Sequence, residues 1–517
     1  MNGFPVITLL TLLPVVAGLV LLLGRPAGAA ARRFAVGAAF LVLLGALGMW
    51  IGFSPGDGSM AYVERHAWIP ALGVDYFVGV DGIGLLLVVL AAILTPMSLL
   101  SGSLPKDRPT LYYALVLFLE AGLIGTFTAL NFFHWFIFWE LSLIPAFFLV
   151  KLWGGANRDA AATQFFVYTM VGSIAMLLAF LALFLATGTF DFLALAQQGQ
   201  DGKLPEALAK VVSWSGLSGK TLAMLAFTGV FLGFAVKVPC MPFHTWLPDT
   251  YATAPTPVTM LLTGAMSKMG VYGFVRILLP IFPDQLRAAL PVLTVLAIAT
   301  ILLASWSAFA QVDLKRMLAY SSINHLGYCL LGIFLVVKLN PAVGDPAASR
   351  AAIMNGVVLQ MFNHGLTAAT FFCLLGMLEE RSGGLRSMGD FGGLRKVVPI
   401  YAGLLGITAF ASLGLPGLNG FVGEFLIFRG AFGISPWAAV VAAPGLLITA
   451  IFLLTFYQRV FLGPLEPRWA KLPDMTVNER WLVAPALVLM LVLGVMPQLM
   501  LGVINPAVTQ LVEAVSR

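Results

Sequence analysis

The chain runs to 517 residues, 60% of them hydrophobic and only 10% charged, with a mean hydropathy of +0.96. That balance excludes an ordinary soluble globular domain. The net charge of +6 comes from basic residues spread through the connections rather than gathered in one patch, so nucleic acid is not an expected partner.

Apolar runs of twenty or so residues recur from end to end, each long enough to cross about 30 Å of hydrocarbon as a helix. They fall near 4–23, 31–53, 80–100, 111–130, 132–152, 161–187, 222–241, 256–280, 288–310, 317–338, 351–377, 400–430, 437–461 and 481–504. A membrane β-barrel needs short alternating segments instead. The fold class expected is therefore an all-α polytopic membrane protein with about fourteen transmembrane helices embedded in a lipid bilayer. Met1 to Phe4 carries no basic residue and no cleavage site stands out, so the first run reads as a retained span. The longest connections, 54–79, 188–221 and 378–399, are loop-sized, and 1–517 reads as a single membrane domain. With alternate loops on opposite sides, seventeen Lys/Arg residues fall on one side, ten on the other, and Lys237 and Lys268 lie inside spans. The richer side is expected to be cytoplasmic, with both termini periplasmic. Cys240, Cys329 and Cys373 are far apart and form no metal or disulfide pattern.

Seven ionisable residues fall within the runs: Glu120, Glu140, Lys237, Lys268, His325, His364 and Glu424. A charge at a helix centre costs at least about 2.5 kcal/mol on insertion scales, so such residues face a bundle interior and find partners. Helix-packing ion pairs are the plain alternative, but packing rarely needs so many. Glu140 follows His134-Trp135-Phe136-Ile137-Phe138-Trp139, a setting that disfavours its charge unless a cation stands near. Lys237 is the candidate cation, and a pair that forms and breaks would switch affinity for a proton. Glu120 is a second candidate partner for Lys237, or a solvated crevice residue. Lys268 has no partner near in sequence, with Gly264 and Tyr272 one turn away on its face, and reads as a proton-relay lysine. His325 has Ser321 and Ser322 a turn back, and His364 has Gln360 a turn back and Thr367 a turn on, so each lies on a polar stripe. Two histidines on neighbouring spans could instead ligate a haem, but a two-haem bundle needs four ligands, and His66, His134 and His244 lie in loops or at span ends. No GxGxxG fingerprint marks a nucleotide fold.

Two runs are interrupted. One contains Lys237-Val238-Pro239-Cys240-Met241-Pro242, the other Leu413-Gly414-Leu415-Pro416-Gly417-Leu418-Asn419-Gly420 ahead of Glu424. Proline frees backbone carbonyls, which are tolerated at membrane depth mainly where they line a cavity, so both breaks are expected to be water-lined. Gln164-Phe165-Phe166-Val167-Tyr168 faintly echoes Gln360-Met361-Phe362-Asn363-His364 five spans later, and an odd offset inverts the second unit.

Trp139-Glu140-Leu141-Ser142-Leu143-Ile144-Pro145, Lys237-Val238-Pro239, Pro242-Phe243-His244-Thr245-Trp246-Leu247-Pro248-Asp249 and Asn363-His364-Gly365 together resemble the antiporter-like subunits of respiratory complex I, over most of the chain. Val80-Asp81-Gly82-Ile83 and the Leu415 to Glu424 break resemble the M-type branch in particular. L-type and N-type relatives tend to have lysine where Glu424 stands, and L-type chains usually carry a long C-terminal lateral helix that is not seen in the sequence to Arg517.

The resemblance implies three N-terminal helices over 1–110, two inverted five-helix repeats with broken helices over 111–280 and 288–461, and a C-terminal helix over 481–517. It implies that Glu140 pairs with Lys237, that Lys268 joins a polar axis through His325 and His364, and that Glu424 ends it. It also implies a proton-translocating subunit of NADH:quinone oxidoreductase in a bacterial inner membrane, with other complex I membrane chains, especially the L-type and N-type, as partners. No cofactor belongs to this chain on that reading; FMN, iron–sulfur clusters and quinone lie in the partner subunits. A multisubunit sodium/proton antiporter and a membrane-bound hydrogenase are built on similar chains and remain the alternatives.

Overall fold

A computed structural model describes residues 4–213, 216–339 and 345–516. Met1 to Gly3, on which part of the leader-segment argument rests, and Arg517, counted in the charge tally, lie outside the described residues.

Two helices, α1 (Val6–Gly24) and α2 (Gly28–Gly52), lead into an antiparallel hairpin of β1 (Ala61–Ile69) and β2 (Val74–Val80). The hairpin occupies what the sequence suggests is a loop; its Val, Tyr and Trp content favours a pleated ribbon, and Arg65 Nε holds Asp75 Oδ2 across it at 2.8 Å. Next come α3 (Gly82–Leu100), α4 (Pro109–Thr128), α5 (Phe132–Trp153) and α6 (Arg158–Thr187). Two short helices, α7 (Phe192–Gln200) and α8 (Leu204–Val211), fill the connection to α9 (Gly219–Lys237), and α10 (Trp246–Thr253) continues beyond the first break. The chain then forms α11 (Thr256–Ile281), α12 (Pro283–Phe309), α13 (Leu314–Leu335) and α14 (Pro346–Arg381). The second break divides α15 (Pro399–Ser412) from α16 (Asn419–Ile434), and α17 (Pro436–Phe461), α18 (Val477–Val495) and α19 (Gln498–Ser516) complete the fold.

Among the described residues fourteen helices are long and apolar enough to cross a membrane. They are not quite the fourteen runs read from the sequence: the broken pair α15/α16 is too short to be among them, and α19 is added. The run 481–504 does not persist as one helix because Pro497 closes α18. Beyond it α19 meets the starts of other spans. Asn355 Nδ2 of α14 donates to Asn505 at 2.8 Å, Arg287 of α12 donates to the Val515 carbonyl at 2.6 Å, and α19 backbone lies against Gly82 of α3. In an alternating bundle those three starts share one side, so α19 runs along that face.

Burial separates core from rim. The most apolar window of α11 is 100% buried, and those of α13 and α14 are each 94% buried, against 28% for α18. Polar side chains on α11, α13 and α14 therefore have only each other as partners. The order of neighbours repeats: α4 packs on α5, α5 on α6 and α6 on the broken α9, as α12 packs on α13, α13 on α14 and α14 on the broken-off α16.

Candidate functional site

The site begins where α11 crosses α14. A Cβ on Gly365 would come 2.5 Å from the Gly264 carbonyl, so the two backbones touch through paired glycines. That approach brings Lys268, which has no exposed surface, within 2.7 Å of His364 Nδ1. A charged ammonium can only donate, so Nδ1 accepts and the ring proton sits on Nε2. His364 and His325 are ring neighbours, with centroids 5.1 Å apart at 37°, and His325 Nδ1 lies 2.8 Å from Glu424 Oε1. Gln360 donates to the same oxygen at 3.2 Å. Lys268, His364, His325 and Glu424 thus form one buried file across α11, α14, α13 and α16. A cavity of ≈10 Å³, close to the least that holds one water, touches both histidines, Gln360, Ser412 and Glu424.

Local backbone geometry shapes both ends of this file. The turn Leu262–Met266 of α11 is π-helical, as is Phe274–Leu278. The wider coil leaves the Thr263 carbonyl to side chains: Ser267 Oγ reaches it at 3.0 Å and Lys268 Nζ at 2.5 Å. At the far end Gly414 (φ +78) and Gly417 (φ +92) turn the chain through the break. A Cβ on Gly414 would stand 2.9 Å from Glu424 Oε2.

Glu140 and Lys237 are neighbours but not an ion pair. Lys237 Nζ lies 4.6 Å over the Trp139 ring and 3.4 Å from Ser142 Oγ, facing Glu140 electrostatically without touching it. Glu140 is half-buried on α5, and its Oε1 accepts no hydrogen bond among the described residues. Glu120 is fully buried on α4, near Thr95 and away from Lys237; neither carboxyl oxygen is hydrogen-bonded, and Thr95 gives its own proton to the Ala91 carbonyl. The structure therefore brings together four of the seven sequence-selected residues, holds two more apart at close quarters, and leaves Glu120 separate.

The breaks differ from each other. The second lines the small polar cavity, as expected. At the first, protein groups stand where water was expected: Trp246 Nε1 donates to the Val236 carbonyl at 3.0 Å, and Met241 N donates to Thr300 Oγ1 at 3.0 Å. Tryptophan and threonine side chains here satisfy the freed backbone.

Sequence reasoning missed three features. Asp81 caps α3 through the Ile83 and Gly84 amides and forms a buried ion pair with Arg276, which the charge tally had put in a loop. Asn363 and Asn419 each donate to the other's backbone carbonyl, at 2.8 and 3.2 Å, clamping α14 to the start of α16. Hydroxyls of Tyr251, Thr263 and Ser322 gather beside Lys268. Asn next to His364 and Asn opening a helix after Pro-Gly were visible signals for the second feature; the others depend on contacts between distant segments. The 5.1 Å spacing of the two histidine rings leaves no room for a porphyrin between them. Among the described residues no three His, Cys, Asp or Glu side chains are grouped as metal ligands.

Comparison with known proteins agrees with this architecture. A family model described as NADH:quinone oxidoreductase/Mrp antiporter, TM matches residues 129–451. The NADH-quinone oxidoreductase subunit M of Rhodobacter capsulatus is 37% identical over 98% of this chain and 96% of its own length. That of Mycobacterium tuberculosis is 34% identical over 98% of this chain and 94% of its own. Among solved structures, a chain of respiratory complex I from Thermus thermophilus superposes with a TM-score of 0.83 at 29% identity, covering 98% of this chain and 99% of that one. A chain of the Mrp complex from Dietzia shares the fold, with a TM-score of 0.80 at 22% identity, covering 100% of both. The chain belongs to the NADH:quinone oxidoreductase/Mrp antiporter membrane family, as an M-type antiporter-like subunit of NADH-quinone oxidoreductase.

Proposed function

We propose that Glu140, Lys237, Lys268, His364, His325 and Glu424 carry the protons that this translocating subunit moves, with Glu120 as a side branch. The observation that supports the reading best is the continuous file Lys268–His364–His325–Glu424, in which every member can gain and lose a proton within a packed core. Glu140 and Lys237, close but unpaired, are the switch at the other end: pairing holds a proton on the lysine, and separation releases it. Electron transfer occurs elsewhere in the complex, where partner chains hold FMN, iron–sulfur clusters and quinone. It drives the switch, and each proton sent outward costs about 2.3 kcal/mol per 100 mV of membrane potential.

On this reading 111–280 and 288–461 are the two inverted units, the Gly264–Gly365 contact joins them, and L-type and N-type chains flank this one. The richer Lys/Arg side faces the cytoplasm of a bacterial cell and both termini face the periplasm. The test is NADH-driven proton pumping in membranes carrying Lys268→Ala, His325→Ala or Glu424→Gln in the assembled complex. Each is expected to lose most of its pumping; full pumping in all three would reduce the file to helix packing. The Mrp-type reading predicts sodium/proton exchange without NADH, and a purified complex holding flavin and iron–sulfur clusters decides against it.

A further inference from the structure

Lys268 has two neighbourhoods, and the file toward Glu424 uses only one. On its other side hydroxyls from three segments converge. Tyr251 of α10 donates to the Leu262 carbonyl at 3.0 Å and turns its oxygen toward Ser267 and Thr263. Thr263 Oγ1 lies 3.1 Å from Ser322 Oγ of α13, and Ser267 Oγ lies 3.4 Å from Lys268 Nζ. All four residues are buried. The π turn makes the convergence possible, because Leu262 O and Thr263 O are free to take side-chain donors there.

Lys237 is a poor source for this lysine. The atoms between the two chains are apolar: a Cβ on Gly270 would meet Val238 Cγ2 at 2.6 Å and Lys237 Cβ at 3.1 Å. An aqueous source is closer to hand. Asp249, two residues before Tyr251, is half-exposed in its ion pair with Arg316, and an open cavity of ≈450 Å³ is walled by Pro255, Thr256 and Glu379 at the foot of α11. From Thr256 the helix rises two turns to Thr263.

We propose that Tyr251 and Ser267, supported by Thr263 and Ser322, relay protons from that aqueous face directly to Lys268, independently of Lys237. The inference rests on Lys268 being a proton carrier. When Lys268 is neutral, the Ser267 hydroxyl passes its proton to Nζ as it takes one from the Tyr251 hydroxyl, and Tyr251 is refilled by water. Each oxygen gains and loses one proton, and only the lysine ends with a net gain.

The experiment uses the whole complex in native membranes with Tyr251→Phe, Ser267→Ala and Lys268→Ala, scored by NADH-driven pumping and quinone reduction across pH and normalised to assembled complex. Delivery of protons from water slows as pH rises, so a damaged relay limits turnover on the alkaline side first. Tyr251→Phe is expected to lower turnover about fivefold near pH 8.5 and less than about twofold near pH 6.5, a modest share of what a positioned proton donor contributes. Ser267→Ala should show the same slant and serves alone if Tyr251→Phe fails to assemble. An equal loss at every pH marks a structural role and overturns the proposal, as does unchanged turnover in both variants while Lys268→Ala is inactive. Full activity in Lys268→Ala would instead remove the reading on which the proposal stands.

Discussion

Lys268 Nζ lies 2.7 Å from His364 Nδ1, and this contact is where α11 of the first half of the chain meets α14 of the second. A group that must both hold and release a proton there cannot be permanently charged. Lys268→Arg keeps the charge but brings a guanidinium that stays protonated and is too broad for a fully buried site. NADH-driven pumping in the assembled variant should fall at least about tenfold, the scale of losing a proton-transfer group. Pumping near the parental rate would mean that Lys268 acts only as a fixed charge.

Glu140 and Lys237 should behave as one switch. Glu140→Gln and Lys237→Ala are each expected to lose most pumping and quinone reduction, with the double variant scarcely worse than either; Glu140→Asp should retain much of both. The measurement is the double-mutant cycle on turnover, and strictly additive losses would make the two residues independent.

Gly414 guards the carboxylate of Glu424. In Gly414→Ala the left-handed backbone alone costs about 1–2 kcal/mol, and the new methyl pushes against Oε2. Turnover should drop severalfold while a Gly403→Ala control, with open space around its Cβ, stays unchanged. Equal activity of the two would free Glu424 from any dependence on the shape of the break.

Asp81 and Arg276 tie the head of α3 to the second π turn of α11. Removing one partner of a buried pair leaves an uncompensated charge and typically costs 3–5 kcal/mol. Arg276→Ala is therefore expected to reduce the amount of assembled complex, measured by native gel electrophoresis, and Asp81→Ala to do the same with the added loss of a helix cap of about 1 kcal/mol. Normal assembly with normal turnover would show that the pair contributes little.

Orientation has its own check. A cysteine at Gly383 should resist an impermeant thiol reagent added outside intact cells, whereas one at Ser516 should react; the reverse pattern inverts the topology and the direction of transport.

Hydropathy made the spans legible because twenty apolar residues in a row have few other uses. The buried charges stood out for the same reason. What the sequence did not disclose were relations set by packing. Nothing near Lys268 in sequence names His364 as its partner, since their contact depends on two glycines 101 positions apart. The Glu140–Lys237 pair was expected closed and is open, because Lys237 finds Trp139 and Ser142 first. The water expected at the first break gave way to Trp246 and Thr300, whose reach no local pattern reveals. The last span was misjudged by length alone, because an amphipathic helix lying on a face and a crossing helix can be equally apolar.

The π turn at Leu262–Met266 also makes residue count itself a functional quantity. One extra residue is accommodated in that turn without lengthening the helix as an α-helix would. Deleting a single residue there would let the coil tighten and rotate everything after it by about 100°, since each α-helical residue subtends that angle. Lys268 would then swing off the Gly264–Gly365 seam, and Arg276 would leave Asp81 in the same movement. The helix therefore tolerates many exchanges of one apolar residue for another along its length but no change in the number of residues between Leu262 and Lys268.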